Sequence, residues 1–105
     1  MSDITIVRAT FADRDEAARV ARLLVGERLA ACASLGAATS IYRWRGAVEE
    51  ADEVVLTVKT LADLAEKAAA RIADLHSYDL PVIERWPVTV DKAVAQWVRE
   101  GVGGA

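Results

Sequence analysis

Residues 31–59 read Ala-Cys-Ala-Ser-Leu-Gly-Ala-Ala-Thr-Ser-Ile-Tyr-Arg-Trp-Arg-Gly-Ala-Val-Glu-Glu-Ala-Asp-Glu-Val-Val-Leu-Thr-Val-Lys. No proline interrupts them, and Ser40 to Trp44 is strongly strand-like. Gly46 is the only turn former before a second strand in which Val54, Leu56 and Val58 alternate with Val55, Thr57 and Lys59, so the spacing predicts a hairpin. Two strands of ~14 residues at ~3.3 Å per residue would reach about 45 Å. A compact domain of this length has a radius of gyration of ~13 Å. The hairpin must therefore bend, with a bulge near Gly36, or project from its own domain. A projecting hairpin leaves strand edges unpaired, a liability that a second copy of the chain would cover.

The flanks complete the pattern. Ile4 to Thr10 is a short alternating strand. Asp13 precedes Glu16 in a cap-like arrangement, and Ala17, Val20, Ala21 and Leu24 trace a helical face to about Glu27 or Arg28. Thr60 and Asp63 suggest a second cap, followed by a helix with Leu61, Leu64, Ala65, Ala68, Ile72 and Leu75 on one face. His76 closes it, and Pro81 forces extended backbone before it. Val82 to Val88 reads as a last strand that Pro87 pushes to an edge. Asp91 opens a third helix with Val94, Trp97 and Val98 on one face; Gly101 is expected to end it, leaving Gly103-Gly104-Ala105 as a frayed tail. The order β-α-β-β-α-β-α predicts one α+β domain over residues 1–105. Its frame is ferredoxin-like (βαββαβ): an antiparallel sheet with two helices on one face, a C-terminal helix and an extended central hairpin.

Composition removes several classes of function. Of 105 residues, 53% are hydrophobic and the net charge is -3, which excludes a disordered chain. One cysteine, Cys32, excludes a disulfide scaffold and a Cys-x-x-Cys zinc site. The acidic balance argues against nucleic acid. The longest uncharged run, Leu29 to Tyr42, is too short to span a membrane, and no secretory leader is visible. The expectation is a soluble cytoplasmic protein. No catalytic motif is present, whether triad spacing, phosphate loop, dinucleotide fingerprint or His-Glu-x-x-His, so no enzyme is expected.

Glu-Arg-Leu-Ala-Ala-Cys (27–32), Ser-Ile-Tyr-Arg-Trp (40–44), Val-Glu-Glu (48–50), Lys-Thr (59–60) and Leu-His-x-Tyr-x-x-Pro (75–81) together resemble the CutA family of divalent-cation tolerance proteins. The resemblance covers nearly the whole chain. It implies a tightly packed homotrimer, likeness to P-II signalling proteins, and binding of copper or other divalent metals. The sequence departs from the family pattern at Ala33-Ser34, Ser77, Asp79 and Val82; the last replaces a carboxylate.

Cys32 and His76 are the soft and borderline donors, a pair suited to copper. Each also has a plainer role, Cys32 as a small buried hydrophobe and His76 as a helix-end residue bonded to a carbonyl. Tyr42, Trp44, Glu50, Lys59, Tyr78 and Asp79 are the candidate ligand pocket, with Lys59 expected beside Tyr78 and His76. The aromatics, with Trp86 and Trp97, equally suit packing in a core or between subunits. Glu49-Glu50 and Asp52-Glu53 read as a solvated edge. Three functions follow: a trimeric copper-binding protein for divalent-cation response, a P-II-like sensor of a small molecule or anion with Arg43 among its contacts, or a trimeric adaptor without ligand.

Overall fold

A computed structural model describes residues 2–103. The elements are β1 (Ser2–Phe11), α1 (Arg14–Gly26), β2 (Cys32–Trp44), β3 (Ala47–Thr60), α2 (Ala62–Leu75), β4 (Ile83–Val90) and α3 (Lys92–Gly103). They form one antiparallel sheet in the order β2-β3-β1-β4. This is the expected βαββαβ frame with an added helix. Pro87 lies on β4, an edge strand, where its missing N–H breaks no inner ladder.

The hairpin projects. β2 and β3 pair one for one from Cys32–Lys59 to Trp44–Ala47, which leaves no room for a bulge at Gly36. The long molecular axis is 47 Å against 25 and 21 Å for the others. Arg45 and Gly46 close the loop with φ of 50° and 85°. Positive φ at both central residues is what a type I′ turn requires, and its twist matches that of the flanking strands.

Strand alternation assigns the faces. Val7, Ala9 and Phe11 of β1, with Leu56 and Val58 of β3, point to the side covered by α1 and α2. Ala17, Val20, Ala21 and Leu24 answer from α1, and Ala65, Ala68 and Ile72 from α2. Burying each larger side chain contributes about 1.5–3 kcal/mol, so this layer holds the domain together. Ile4 and Ile6 point the other way and meet Ala95 and Val98 of α3. The rest of that second face is open.

Three local expectations change. Thr60 does not cap α2: it remains in β3 opposite Thr5, Leu61 takes the cap position, and the buried Thr60 hydroxyl has no hydrogen-bond partner among the described residues. The strand ladder takes precedence over the local cap. Gly101 does not end α3, which continues to Gly103. Its role is contact, since a Cβ there would lie 2.8 Å from Ala31 Cβ. Residues 104 and 105 of the expected tail lie outside the described residues. Finally, Asp13 caps α1 by accepting from Glu16 N–H at 2.8 Å, but the Glu16 carboxylate does not reach back to it. It is used elsewhere.

Candidate functional site

Glu16 is buried and accepts from the Ser77 N–H and hydroxyl at 2.8 and 2.9 Å. This fixes the chain as it leaves α2. His76, with a fully buried side chain, stacks on Phe11 at 4.2 Å between ring centroids. Its Nε2 lies 2.7 Å from the Thr10 carbonyl, and its Nδ1 accepts from the Tyr78 N–H at 3.0 Å. A carbonyl can only accept, so Nε2 carries the proton and both ring nitrogens are engaged. The Tyr78 hydroxyl then donates to Glu53 Oε2 at 2.7 Å. Burial, followed by the adjoining Glu53 carboxylate, pushes the Tyr78 phenol well above its ordinary value.

These contacts hold the segment from Tyr78 to Val82 against the open face of the hairpin. Between them lies a cavity of about 640 Å³, lined by Tyr42, Trp44, Glu53, Tyr78 and Asp79, with Thr10, Ser40, Arg43, Leu80 and Val82 completing its walls. The size falls within the ~300–1,000 Å³ range of small-molecule sites. Tyr42 and Trp44 are spaced by two in β2 and so share a face.

Four of the expected pocket residues thus meet: Tyr42, Trp44, Tyr78 and Asp79. Glu50 does not join them. It pairs with Ile41, one position out of phase with Tyr42, and so points to the opposite face of the hairpin. Lys59 is also elsewhere. It lies at the far end of β3 beside Cys32, with Nζ 3.8 Å from Sγ, and not beside Tyr78 and His76. Thr10 belongs to the site without having been singled out, and Glu53, read from the sequence as part of a solvated edge, belongs to it as well. The hairpin register, once counted back from the Arg45-Gly46 turn, places Glu53 on the face of Tyr42.

Cys32 and His76 are not brought together. Cys32 pairs with Lys59, and Lys59 with Ile6, on the face of α3; His76 stacks on Phe11, which faces α1 and α2. Among the described residues no group of three or more His, Cys, Asp or Glu side chains is placed to hold a metal ion. Trp86 lies under the Arg8 guanidinium at 4.9 Å, and Trp97 is exposed. No helix is long and apolar enough to cross a membrane.

The family model of the CutA1 divalent ion tolerance protein matches residues 5–101. The divalent-cation tolerance protein CutA of Pyrococcus horikoshii is 42% identical over 96 residues, covering 90% of this chain and 94% of the relative. Its counterpart from Thermus thermophilus is 38% identical over 100 residues, covering 93% and 97%. The crystal structure of CutA from Xylella fastidiosa superposes with a TM-score of 0.91 at 35% identity, covering 96% of this chain and 99% of that one.

Proposed function

The chain belongs to the CutA1 divalent ion tolerance family, and from that membership we propose that it serves tolerance of divalent cations as a cytoplasmic, homotrimeric binding protein without enzymatic activity. The observation that carries the binding role is the convergence of Glu53 and Asp79 on one cavity. Oxygen donors of this kind attract divalent ions, and further ligands would come from water or a second subunit. Copper is the first ion to test, because Cys32 offers a soft donor for the reduced state. His76 serves as a support behind the cavity, through its bond from the Tyr78 N–H, since a metal would displace its existing hydrogen bonds. The projecting hairpin supports self-assembly, and nothing in the charge pattern favours nucleic acid.

A second reading, that of a P-II-like sensor, is favoured by the size of the cavity and its aromatic lining. One ion fills only a small part of such a space.

Equilibrium dialysis against Cu(II) and Zn(II), with elemental analysis of the retained protein, tests the first reading. Wild type should retain metal, and a Glu53→Gln, Asp79→Asn double variant should retain at least ten-fold less. Cys32→Ala should lose Cu(I) under reducing conditions. Wild type that retains no ion would overturn direct metal binding and leave the sensor reading.

A further inference from the structure

We infer that His76 is an acid-operated latch: a second proton on its ring, at Nδ1, releases the Tyr78 backbone and loosens the segment from Tyr78 to Val82. The latch sits behind the cavity, within one chain, and needs no open mouth. A neighbouring copy that covers the Tyr42 and Trp44 face leaves it intact.

The neutral ring is fully used. Its side chain is completely buried, Nε2–H donates to the Thr10 carbonyl at 2.7 Å, and Nδ1 accepts from the Tyr78 N–H at 3.0 Å. Nδ1 is thus the only place for a further proton, and a protonated Nδ1 can only donate. Two N–H groups would then face each other, and the Tyr78 N–H would lose its acceptor.

A substitute partner for the ring is at hand. Glu16 Oε2 lies 4.0 Å from Nδ1. In the neutral state that oxygen accepts from the Ser77 N–H at 2.8 Å, while Oε1 accepts from the Ser77 hydroxyl at 2.9 Å. A bond between two charged groups is stronger than one to a neutral donor, so a charged ring draws Glu16 away from Ser77. Protonation therefore acts on two successive backbone bonds where the chain leaves α2. The ring keeps its place, because the stack on Phe11 at 4.2 Å and the Nε2–H bond to Thr10 are available in both charge states.

The surroundings supply no other charged partner in hydrogen-bond contact with the ring among the described residues. From α1 comes Glu16, with Asp13 committed to the Glu16 N–H. From β1 come Phe11 and the Thr10 carbonyl, neither titratable. Tyr78 lies 4.7 Å away between ring centroids, and its hydroxyl donates to Glu53 of β3. His76 itself caps the C-terminal end of α2, whose carbonyls carry partial negative charge and favour a cation.

The segment beyond Tyr78 has little else to hold it. Leu80 and Val82 are exposed, and no side-chain hydrogen bond ties residues 79–82 among the described residues. The two Tyr78 bonds are its tether, and acid removes one of them.

His76 is the only histidine, so its ring signals are unambiguous. In the full-length assembled protein, the ring is titrated by NMR from about pH 7.5 to about pH 5, the range in which imidazoles change charge. Hydrogen-exchange protection of the backbone amides is measured over the same range and corrected for the intrinsic exchange rate. Mass in solution and circular dichroism at each pH establish assembly and folding. Tyr78 protection should fall about ten-fold or more, with its midpoint on the ring titration, while Val7 and Leu56 in the core keep theirs. In Glu16→Gln, which removes the charge facing the ring, both midpoints should move together to lower pH. His76→Gln cannot titrate here and keeps a side-chain N–H for the Thr10 carbonyl, so it should show no step at Tyr78. The wild-type titration decides the matter even where His76→Gln does not fold. A ring that stays neutral to the acid end of the range, or one that titrates while Tyr78 keeps its protection, would overturn the latch. So would loss of protection at Tyr78 only together with the core, which is acid unfolding, or an equal step in His76→Gln, which traces the release to a carboxylate. An unmoved midpoint in Glu16→Gln would overturn the exchange of Glu16 between Ser77 and the ring.

Discussion

The Tyr78 hydroxyl donates to Glu53 Oε2 at 2.7 Å and joins the segment after α2 to β3, 25 residues earlier in the chain. This bond closes one wall of the cavity. A hydrogen bond to a charged group contributes roughly 1.5–3 kcal/mol, less where water has access. Tyr78→Phe should therefore lower stability by about 1–2 kcal/mol, read as a lower urea midpoint at unchanged slope. A midpoint equal to wild type would mean that water replaces the hydroxyl without loss.

The same tyrosine makes stability depend on alkaline pH. Its folded phenol holds its proton above the ordinary value of 10.0. Above that pH the unfolded chain has released the proton and the folded chain has not, so the unfolded state binds fewer protons and stability falls. Wild type should thus lose stability more steeply than Tyr78→Phe as pH rises through and beyond 10. Parallel curves for the two proteins would remove Tyr78 from the effect.

Glu16 acts one step further back. Its carboxylate accepts from both donors of Ser77, the N–H and the hydroxyl, and the residue is only 7% exposed. Glu16→Ala would leave a backbone donor unpaired, at a cost of about 2–3 kcal/mol. Glu16→Gln keeps an acceptor oxygen and should lose less than half of that. Chemical denaturation of the two variants separates these outcomes, and equal losses would mean that the charge, not the acceptor, holds Ser77.

The fold was legible because its signals are local. Alternation marks β1 and β3, helical spacing marks α1 and α2, and the absence of proline from Ala31 to Arg45 gives the hairpin its length. The site was legible only in part. Tyr42, Trp44, Tyr78 and Asp79 came from a family resemblance, and they do converge. Lys59 was misplaced because its position depends on pairing across the sheet, where Cys32 and not Tyr78 is its neighbour. Glu53 looked like one more solvated acid because its run of four acids hides a period of two. Gly101 looked like a helix terminator, because a close contact with Ala31 leaves no trace in local sequence.

That contact gives a further test. Alanine is preferred to glycine within a helix by about 1 kcal/mol, so Gly101→Ala would ordinarily stabilise α3. Here the new methyl would meet Ala31 Cβ at 2.8 Å and its Cα at 3.1 Å, and neither is the end of a flexible side chain. The net result should be a loss of about 1–3 kcal/mol. Gly26→Ala, at the end of α1 with no atom within 4 Å among the described residues, should be neutral or slightly stabilising. Thermal melts of the pair decide it: a stabilised Gly101→Ala would mean that α3 slides freely over Ala31.

The hairpin carries the last prediction. Beyond the helices it displays apolar side chains on both faces, with Ile41 and Val48 68% and 64% exposed on one and Tyr42 and Trp44 about two-fifths exposed on the other. A monomer gains nothing from that arrangement, and a neighbouring copy would bury it. The assembled protein should have about three times the mass of the 11.3 kDa chain and should resist dilution. An Ile41→Asp, Val48→Asp double variant separates assembly from folding. Exposed substitutions within one chain change its stability by only about 0.5 kcal/mol. If each of these side chains is buried by a neighbour, it contributes about 1.5–3 kcal/mol at the interface, and every 1.4 kcal/mol is ten-fold in affinity. The double variant should therefore keep its circular dichroism and dissociate at micromolar concentration in light scattering. Trp44→Ala should act in the same direction through the opposite face. A wild-type mass near that of one chain, or a double variant that assembles as wild type does, would mean that the hairpin stands free in solution.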